Sequence, residues 1–113
     1  MVNRGEIWWA DLPDPVASEP GYKRPVLILQ SDAFNRSRIH TVVAAALTTN
    51  LRLADAPGNV KLSSGKTGLP KESVANVSQI ITLDRHFLRK KCGSLDHATM
   101  LRIEDGVRLV LGL

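Results

Sequence analysis

The residues best suited to chemistry stand in one short stretch, SEPGYKRPV at residues 18–26. It places Glu19, Lys23 and Arg24 directly before an apolar segment, and Pro25 biases Arg24 towards an extended backbone. An arginine held at the mouth of a strand can present a planar fork of N–H donors to a phosphate. A structural ion pair with Glu19, or an ordinary surface position, is the more common role for such an arginine, so spacing alone leaves both readings open.

Two further groups could take part in a phosphate site. Thr48 ends a second apolar segment, where its hydroxyl could bond a phosphate oxygen or a ribose 2′-hydroxyl, although threonine is also an ordinary strand residue. The basic run RHFLRKK at residues 85–91 could hold an RNA backbone. The same run could equally face solvent or an acidic protein partner.

Other kinds of site lack their sequence signals. The string GKT at residues 65–67 resembles the end of a phosphate-binding P-loop, but Val60 stands where that motif needs glycine. The chain has three histidines, which are far apart in the sequence, and one cysteine. His40, His86 and His97 therefore do not have the spacing of zinc ligands. We therefore expect no metal site and no cofactor.

The elements that must position these residues are mostly β-strands. Apolar and β-preferring runs of strand length recur along the chain, and we predict strands at residues 6–12, 25–31, 41–49, 59–63 and 73–83. Residues 13–24 contain three prolines and one glycine, which predicts a long loop. Residues 64–68, SGKTG, have the composition of a turn.

Helices are predicted at three places. A short helix could lie between residues 32 and 40, and another could follow Asp84 as its cap. A longer C-terminal helix is expected after a Ser94 or Asp96 cap, because apolar residues then recur at helical spacing: Met100, Ile103, Val107, Val110 and Leu111. We predict an α+β fold: a small, strongly bent antiparallel β-sheet or SH3-like half-open barrel of five to seven strands, with this C-terminal helix and one or two short helices.

Length and composition limit the choice of function. The 113 residues fit one domain, 1–113, and 43% are hydrophobic, which is enough for a core. A net charge of +4 permits attraction to phosphate polymers without requiring it. The single cysteine, Cys92, favours a reducing compartment, and neither a signal peptide nor a membrane-spanning run is evident. We expect a soluble protein of the cytoplasm.

Five segments together carry a resemblance to a known family. RGEIWWADL, SEPGYKRPVLILQSD, TVVAAALTTN, GLPKESV with SQIITLD, and LRKKCGSLD followed by the apolar helix resemble the MazF/PemK family of type II toxin–antitoxin ribonucleases. They follow one another in the family's order and cover nearly the whole chain. This joint match is far more specific than any single motif within it.

The resemblance implies roles for particular residues. The family's catalytic arginine falls on Arg24, its catalytic threonine or serine on Thr48, and an acidic residue of the same loop on Glu19, which could act as a general base. Residues implied to lie along the RNA are Ser18, Lys23, Pro57, Ser73 and Gln79. The sequence departs from the family at Pro20 and Tyr22, which are more often Gln and Gly, and at Ser78 and Ile81, which interrupt an EQIR pattern.

The resemblance also implies an activity and partners. It implies metal-independent, sequence-specific cleavage of single-stranded RNA by the substrate's own 2′-hydroxyl, which leaves a 2′,3′-cyclic phosphate and a 5′-hydroxyl. It further implies a homodimer that is inhibited by an acidic antitoxin. The apolar helix of residues 100–113 could bury one face against its own barrel or against a second subunit.

Two other functions are compatible with such a fold. One is a non-catalytic toxin of the CcdB type, which binds DNA gyrase and cuts nothing. The other is a nucleic-acid-binding module of SH3-like shape that has lost its activity.

Overall fold

Six antiparallel strands make one curled sheet in the computed structural model, which describes residues 2–12 and 23–113. The strands are β1 (Glu6–Asp11), β2 (Lys23–Ile28), β3 (Thr41–Thr48), β4 (Val60–Leu62), β5 (Ser73–Asp84) and β6 (Leu88–Ser94). They lie in the order β4-β5-β3-β2-β1-β6, so β4 and β6 are the edges of the described sheet, which forms a half-open barrel. The predicted fold class is confirmed.

The apolar runs of β2 and β3 are buried on both faces of the sheet, as their continuous hydrophobicity predicts. Successive side chains of a strand alternate between faces. Leu27 therefore joins a core cluster with Ile7, Leu47 and Ile103 on one face. Its neighbours in β2 join a second cluster on the other face, which contains Val26, Ile28, Val42, Ala44 and Leu83.

A bulge in β5 adds to the bend of the sheet. Ala45 pairs with Ile80, but the next residue, Ala46, pairs with Asn76, so residues 77–79 have no partner on β3. Asn59 supports the bulge, because its Oδ1 accepts the backbone N–H of Val77 at 3.0 Å.

The C-terminal helix, α3 (His97–Leu111), is anchored at its beginning and exposed at its end. Asp96 is its cap, since the carboxylate accepts the backbone N–H of Thr99 at 2.8 Å. Met100 and Ile103 are buried against the sheet. Beyond Val107 the apolar face of the helix is not covered by the chain's own sheet, since Val110 and Leu111 are 41% and 57% exposed.

The short helices match the sequence-based predictions in part. Helix α1 (Asp32–Asn35) and a 3₁₀ helix (Arg85–Phe87) capped by Asp84 are confirmed. Residues 64–68 were predicted as a turn, but they form a one-turn helix, α2 (Ser64–Thr67), which ends at Gly68 with a φ of +76°. A further 3₁₀ helix (Leu51–Asp55) was not predicted.

Two predictions about the strands were incomplete: where β2 begins, and how many strands follow β5. Strand β2 begins at Lys23, two residues before the predicted start, so Lys23 and Arg24 belong to the sheet rather than to the loop. Strand β6 was missed because its sequence, LRKKCGS, is dominated by charge. The rest of the predicted loop, with Ser18 and Glu19, lies outside the described residues. No helix among the described residues is long and apolar enough to cross a membrane.

Candidate active site

Arg24 and Thr48 line the same cleft, at the end of the sheet where β2 begins and β3 ends. The cleft has a volume of about 370 Å³. The register of these strands pairs Val26 with Ala46, and continuing it by two residues places Arg24 opposite Thr48. Two residues 24 positions apart in the sequence are thus brought together by antiparallel pairing.

The two side chains are held by regular strand structure. Arg24 pairs with Ala10 of β1, and Pro25 beside it pairs with Trp9, so the arginine extends from an inner strand of the sheet. Thr48 pairs with Val74 of β5. The backbone N–H of Asn50 donates to the Thr48 hydroxyl oxygen at 3.1 Å. This bond fixes the hydroxyl while leaving its proton available to a ligand.

The rest of the cleft combines positive charge, hydroxyl groups and apolar surface. Lys23 and Lys71 are exposed cations at its rim, and no carboxylate is among the described residues that line it. Apart from Arg24 and Thr48, the remaining lining residues are Trp9, Pro25, Leu47, Thr49, Leu69, Pro70 and Ser73. Cations attract phosphate, and flat apolar surface accommodates a base, so the cleft has the chemistry to hold a nucleotide.

The sequence-predicted site residues divide into three groups. Arg24, Thr48, Lys23 and Ser73 come together in the cleft. Gln79 and Pro57 do not line it: Gln79 is exposed in the β5 bulge, and Pro57 is exposed after the 3₁₀ helix that precedes β4. Glu19 and Ser18 are outside the described part of the chain.

The basic run of residues 85–91 does not reach the cleft. Two of its side chains are paired across the sheet edge with acidic residues of β1, Arg89 with Asp11 and Lys91 with Glu6. Part of the charge that suggested RNA binding is therefore neutralised within the protein. Burial of Glu6 opposes its ionisation, but hydrogen bonds from Asn3, Trp8 and Lys91 outweigh this effect and lower the pKa of Glu6 to about 2.

The contributors to the cleft that sequence reasoning missed include Trp9 and Lys71. Trp9 was treated only as a strand-forming residue, although two adjacent tryptophans in a strand must point to opposite faces. Lys71 stands in a polar turn without a periodic pattern. Within the described residues, no group of three or more His, Cys, Asp or Glu could hold a metal ion.

Comparison with known proteins identifies the family. Residues 3–111 match the model for the PemK-like, MazF-like toxin of type II toxin–antitoxin systems. The chain belongs to this family. The resemblance seen in the sequence is thereby confirmed.

Named relatives of this MazF-like chain match it from end to end. It is 45% identical over 113 residues to the endoribonuclease MazF6 of Mycobacterium tuberculosis, and the match covers 100% of this chain and 99% of that protein. It is 34% identical over 113 residues to the endoribonuclease EndoA of Bacillus subtilis, with 100% of this chain and 97% of that protein covered.

Solved structures share the fold. A mycobacterial endoribonuclease in complex with its cognate antitoxin superimposes with a TM-score of 0.81 at 29% identity, covering 100% of this chain and 97% of that chain. A MazE-MazF structure from Deinococcus radiodurans gives a TM-score of 0.80 at 19% identity over 99% and 96% of the two chains, which supports the fold alone.

Proposed function

We propose that this MazF-like endoribonuclease cuts single-stranded RNA at specific sequences by using the substrate's own 2′-hydroxyl as the nucleophile. The observation that carries the proposal is the meeting of Arg24 and Thr48 in one cationic cleft. The 2′-oxygen forms a bond to the adjacent phosphorus, and the bond from phosphorus to the 5′-oxygen breaks. The products are a 2′,3′-cyclic phosphate and a 5′-hydroxyl end.

Arg24 and Thr48 act on the charge that develops at phosphorus. The Arg24 guanidinium donates to the non-bridging oxygens as the phosphorane forms, where its planar fork suits two oxygens at once. The Thr48 hydroxyl donates its proton to a non-bridging oxygen, because its own oxygen already accepts from Asn50. No step in this scheme needs a metal ion, since the nucleophile belongs to the substrate.

Glu19 is assigned as the general base that takes the 2′-hydroxyl proton, while the 5′-oxygen takes a proton from water as it leaves. This assignment rests on the family resemblance, because Glu19 lies outside the described residues. Ser18 is assigned to RNA contact on the same ground.

The RNA path extends beyond the scissile phosphate. Lys23 on the rim of the cleft and Ser73 in its lining are assigned to the nucleotides that the cleft holds, and Lys71 lies on the same rim. Pro57 and Gln79 lie away from the cleft, so they are assigned to nucleotides further along the strand. At its outer position the Gln79 amide supplies sequence preference, since base edges are read by hydrogen bonds.

We also propose a homodimer that works in the cytoplasm and is inhibited by an acidic antitoxin. The outer end of α3 exposes Leu109 and Leu111 at 62% and 57%, and a groove of about 380 Å³ lies beside it, lined in part by Leu29, Val43 and Val107. An apolar surface of this kind suits a second copy of the chain.

An acidic antitoxin segment suits the cationic cleft, and a mycobacterial relative has been solved with its cognate antitoxin.

The gyrase-binding alternative is not favoured, because the full-length relatives are named endoribonucleases.

The ribonuclease proposal is tested by incubation of the purified protein with mixed-sequence single-stranded RNA in EDTA, followed by mapping of the ends. Wild-type protein should give discrete cuts with cyclic phosphate ends, and Arg24→Ala should give none while remaining folded.

Arg36→Ala is the matched control, because Arg36 is an exposed arginine at the end of α1 and does not line the cleft. It should cut like wild type. Intact RNA across many sequences, or full activity of Arg24→Ala, would contradict the proposal.

A further inference from the structure

The two tryptophans of β1 have different surroundings. The Trp8 indole N–H donates to Glu6 at 3.0 Å, and its ring packs against the core cluster of Val26 and Ala10. Trp9 packs against the opposite cluster and lines the cleft that holds Arg24. One indole is thus tied to a structural carboxylate, whereas the other borders the candidate active site.

Trp9 is held by the sheet on both sides. It pairs with Pro25 of β2 and with Lys90 of β6, so its backbone lies in an inner strand. Its side chain is half-buried, with part of the ring against the core and part towards the cleft. Leu69 and Pro70 contribute apolar surface to the same cleft. A flat surface fixed in this way costs little conformational entropy when a ligand binds to it.

Aromatic surface is scarce in this chain, which has two Trp, two Phe and one Tyr. Of those within the described ranges, Phe34 belongs to α1 and Phe87 packs against the second core cluster. Trp9 is the aromatic residue that the structure places along the cleft. Among the described residues that line the cleft, Trp9 is therefore the aromatic side chain on which the base of a bound nucleotide could stack.

We propose that Trp9 is the base-stacking platform of the cleft, on which an unpaired base next to the phosphate at Arg24 lies flat. The proposal rests on the proposed ribonuclease function and adds a binding role that the reaction scheme does not contain. Every base has a π-face, so this contact holds the strand with little dependence on sequence. A base within a duplex is already stacked between its neighbours, so the contact also favours single-stranded substrate.

Tryptophan fluorescence tests the contact without altering Trp9. The Trp8→Phe protein keeps Trp9 as its fluorophore, and the Trp9→Phe protein keeps Trp8. The probe is an RNA oligonucleotide that carries a mapped cut site with a single 2′-deoxy nucleotide at the cut, so that it binds without reacting. Stacking predicts saturable quenching in Trp8→Phe and little change in Trp9→Phe. Quenching in Trp9→Phe alone, or in neither protein, would overturn the proposal.

Binding affinity supplies the second measurement. Trp9→Leu should weaken binding of the same oligonucleotide about 5- to 150-fold, the range expected for loss of one base–aromatic stack, and Trp9→Phe should recover part of the loss. Trp8→Phe should bind like wild type. Thermal unfolding of each variant checks that the protein remains folded, and the fluorescence result stands even if Trp9→Leu does not fold.

The two proposals can fail separately. If wild-type protein cuts no RNA, the ribonuclease scheme fails, and titration of Trp8→Phe with mixed-sequence single-stranded RNA still shows by quenching, or by its absence, whether bases stack on Trp9. If wild-type protein cuts RNA while Trp9→Leu binds and cuts it equally well, only the assignment of Trp9 is wrong.

Discussion

Replacing Thr48 with valine tests the part of the reaction scheme that depends on a single hydroxyl. Valine has nearly the same shape, so the strand end and its pairing with Val74 should persist. The change removes the proton that is proposed to reach a non-bridging oxygen, together with the acceptor for the Asn50 backbone N–H. Asn50 is exposed, so that N–H can bond to water instead.

The expected effect is on turnover rather than on binding. A hydrogen bond to a charged group contributes about 1.5–3 kcal/mol, and a loss of this size in the transition state slows the reaction roughly 10- to 150-fold. We predict that kcat falls by this factor while KM changes little, because the additional negative charge of the phosphorane exists only in the transition state. Thr48→Ser keeps the hydroxyl and should retain most of the activity.

The assay is steady-state cleavage of a fluorophore-quencher RNA that carries one mapped site. Thr82→Val is the matched control, since Thr82 is exposed on β5 and does not line the cleft. A folded Thr48→Val protein that cuts at the wild-type rate would refute the reasoning, as would a loss seen equally in Thr82→Val.

Two further predictions concern stability. Gly106→Ala should destabilise the protein by about 1–3 kcal/mol in urea unfolding, because a Cβ there would overlap the Gly58 carbonyl, whereas Gly65→Ala should not destabilise it, because its Cβ would meet the Ser63 hydroxyl at an ordinary contact distance of 4.0 Å. The Glu6 carboxylate has a folded pKa of about 2, below its ordinary value of 4.5, so its contribution is complete above about pH 5 and is lost as the pH falls towards 2. Wild type should therefore lose roughly 3 kcal/mol more than Glu6→Gln between pH 6 and pH 2. Equal losses in the two proteins would show that Glu6 has an ordinary pKa.

The inner strands could be predicted from the sequence because burial on both faces produces continuous apolar runs. Strand β6 could not, since it lies at the edge of the described sheet, where β1 is its one strand partner. Edge strands tolerate charge, and here Arg89 and Lys91 are offset by Asp11 and Glu6 across the strand pair. Neither ion pair has a signature in the local sequence, because each joins residues about 80 positions apart.

The two central residues of the candidate site could be predicted from the sequence, but most of the residues around them could not. Arg24 and Thr48 stand at the ends of predicted strands, and antiparallel pairing then brings them together. Alternation indicates that Trp8 and Trp9 face opposite ways, but it does not say which of them borders a cleft. The β5 bulge breaks the alternation near Gln79, so the outward position of Gln79 could not be derived from periodicity.

The central claim is that the substrate's 2′-hydroxyl is the nucleophile and that Arg24 stabilises the resulting charge. The most direct measurement compares two RNA oligonucleotides that differ only by a 2′-deoxy sugar at the mapped cut site, with cleavage and binding both followed in EDTA. We expect the deoxy oligonucleotide to bind with similar affinity and to remain uncut, while the all-ribose oligonucleotide yields a 2′,3′-cyclic phosphate. Cleavage of the deoxy oligonucleotide at the same position would contradict the central claim.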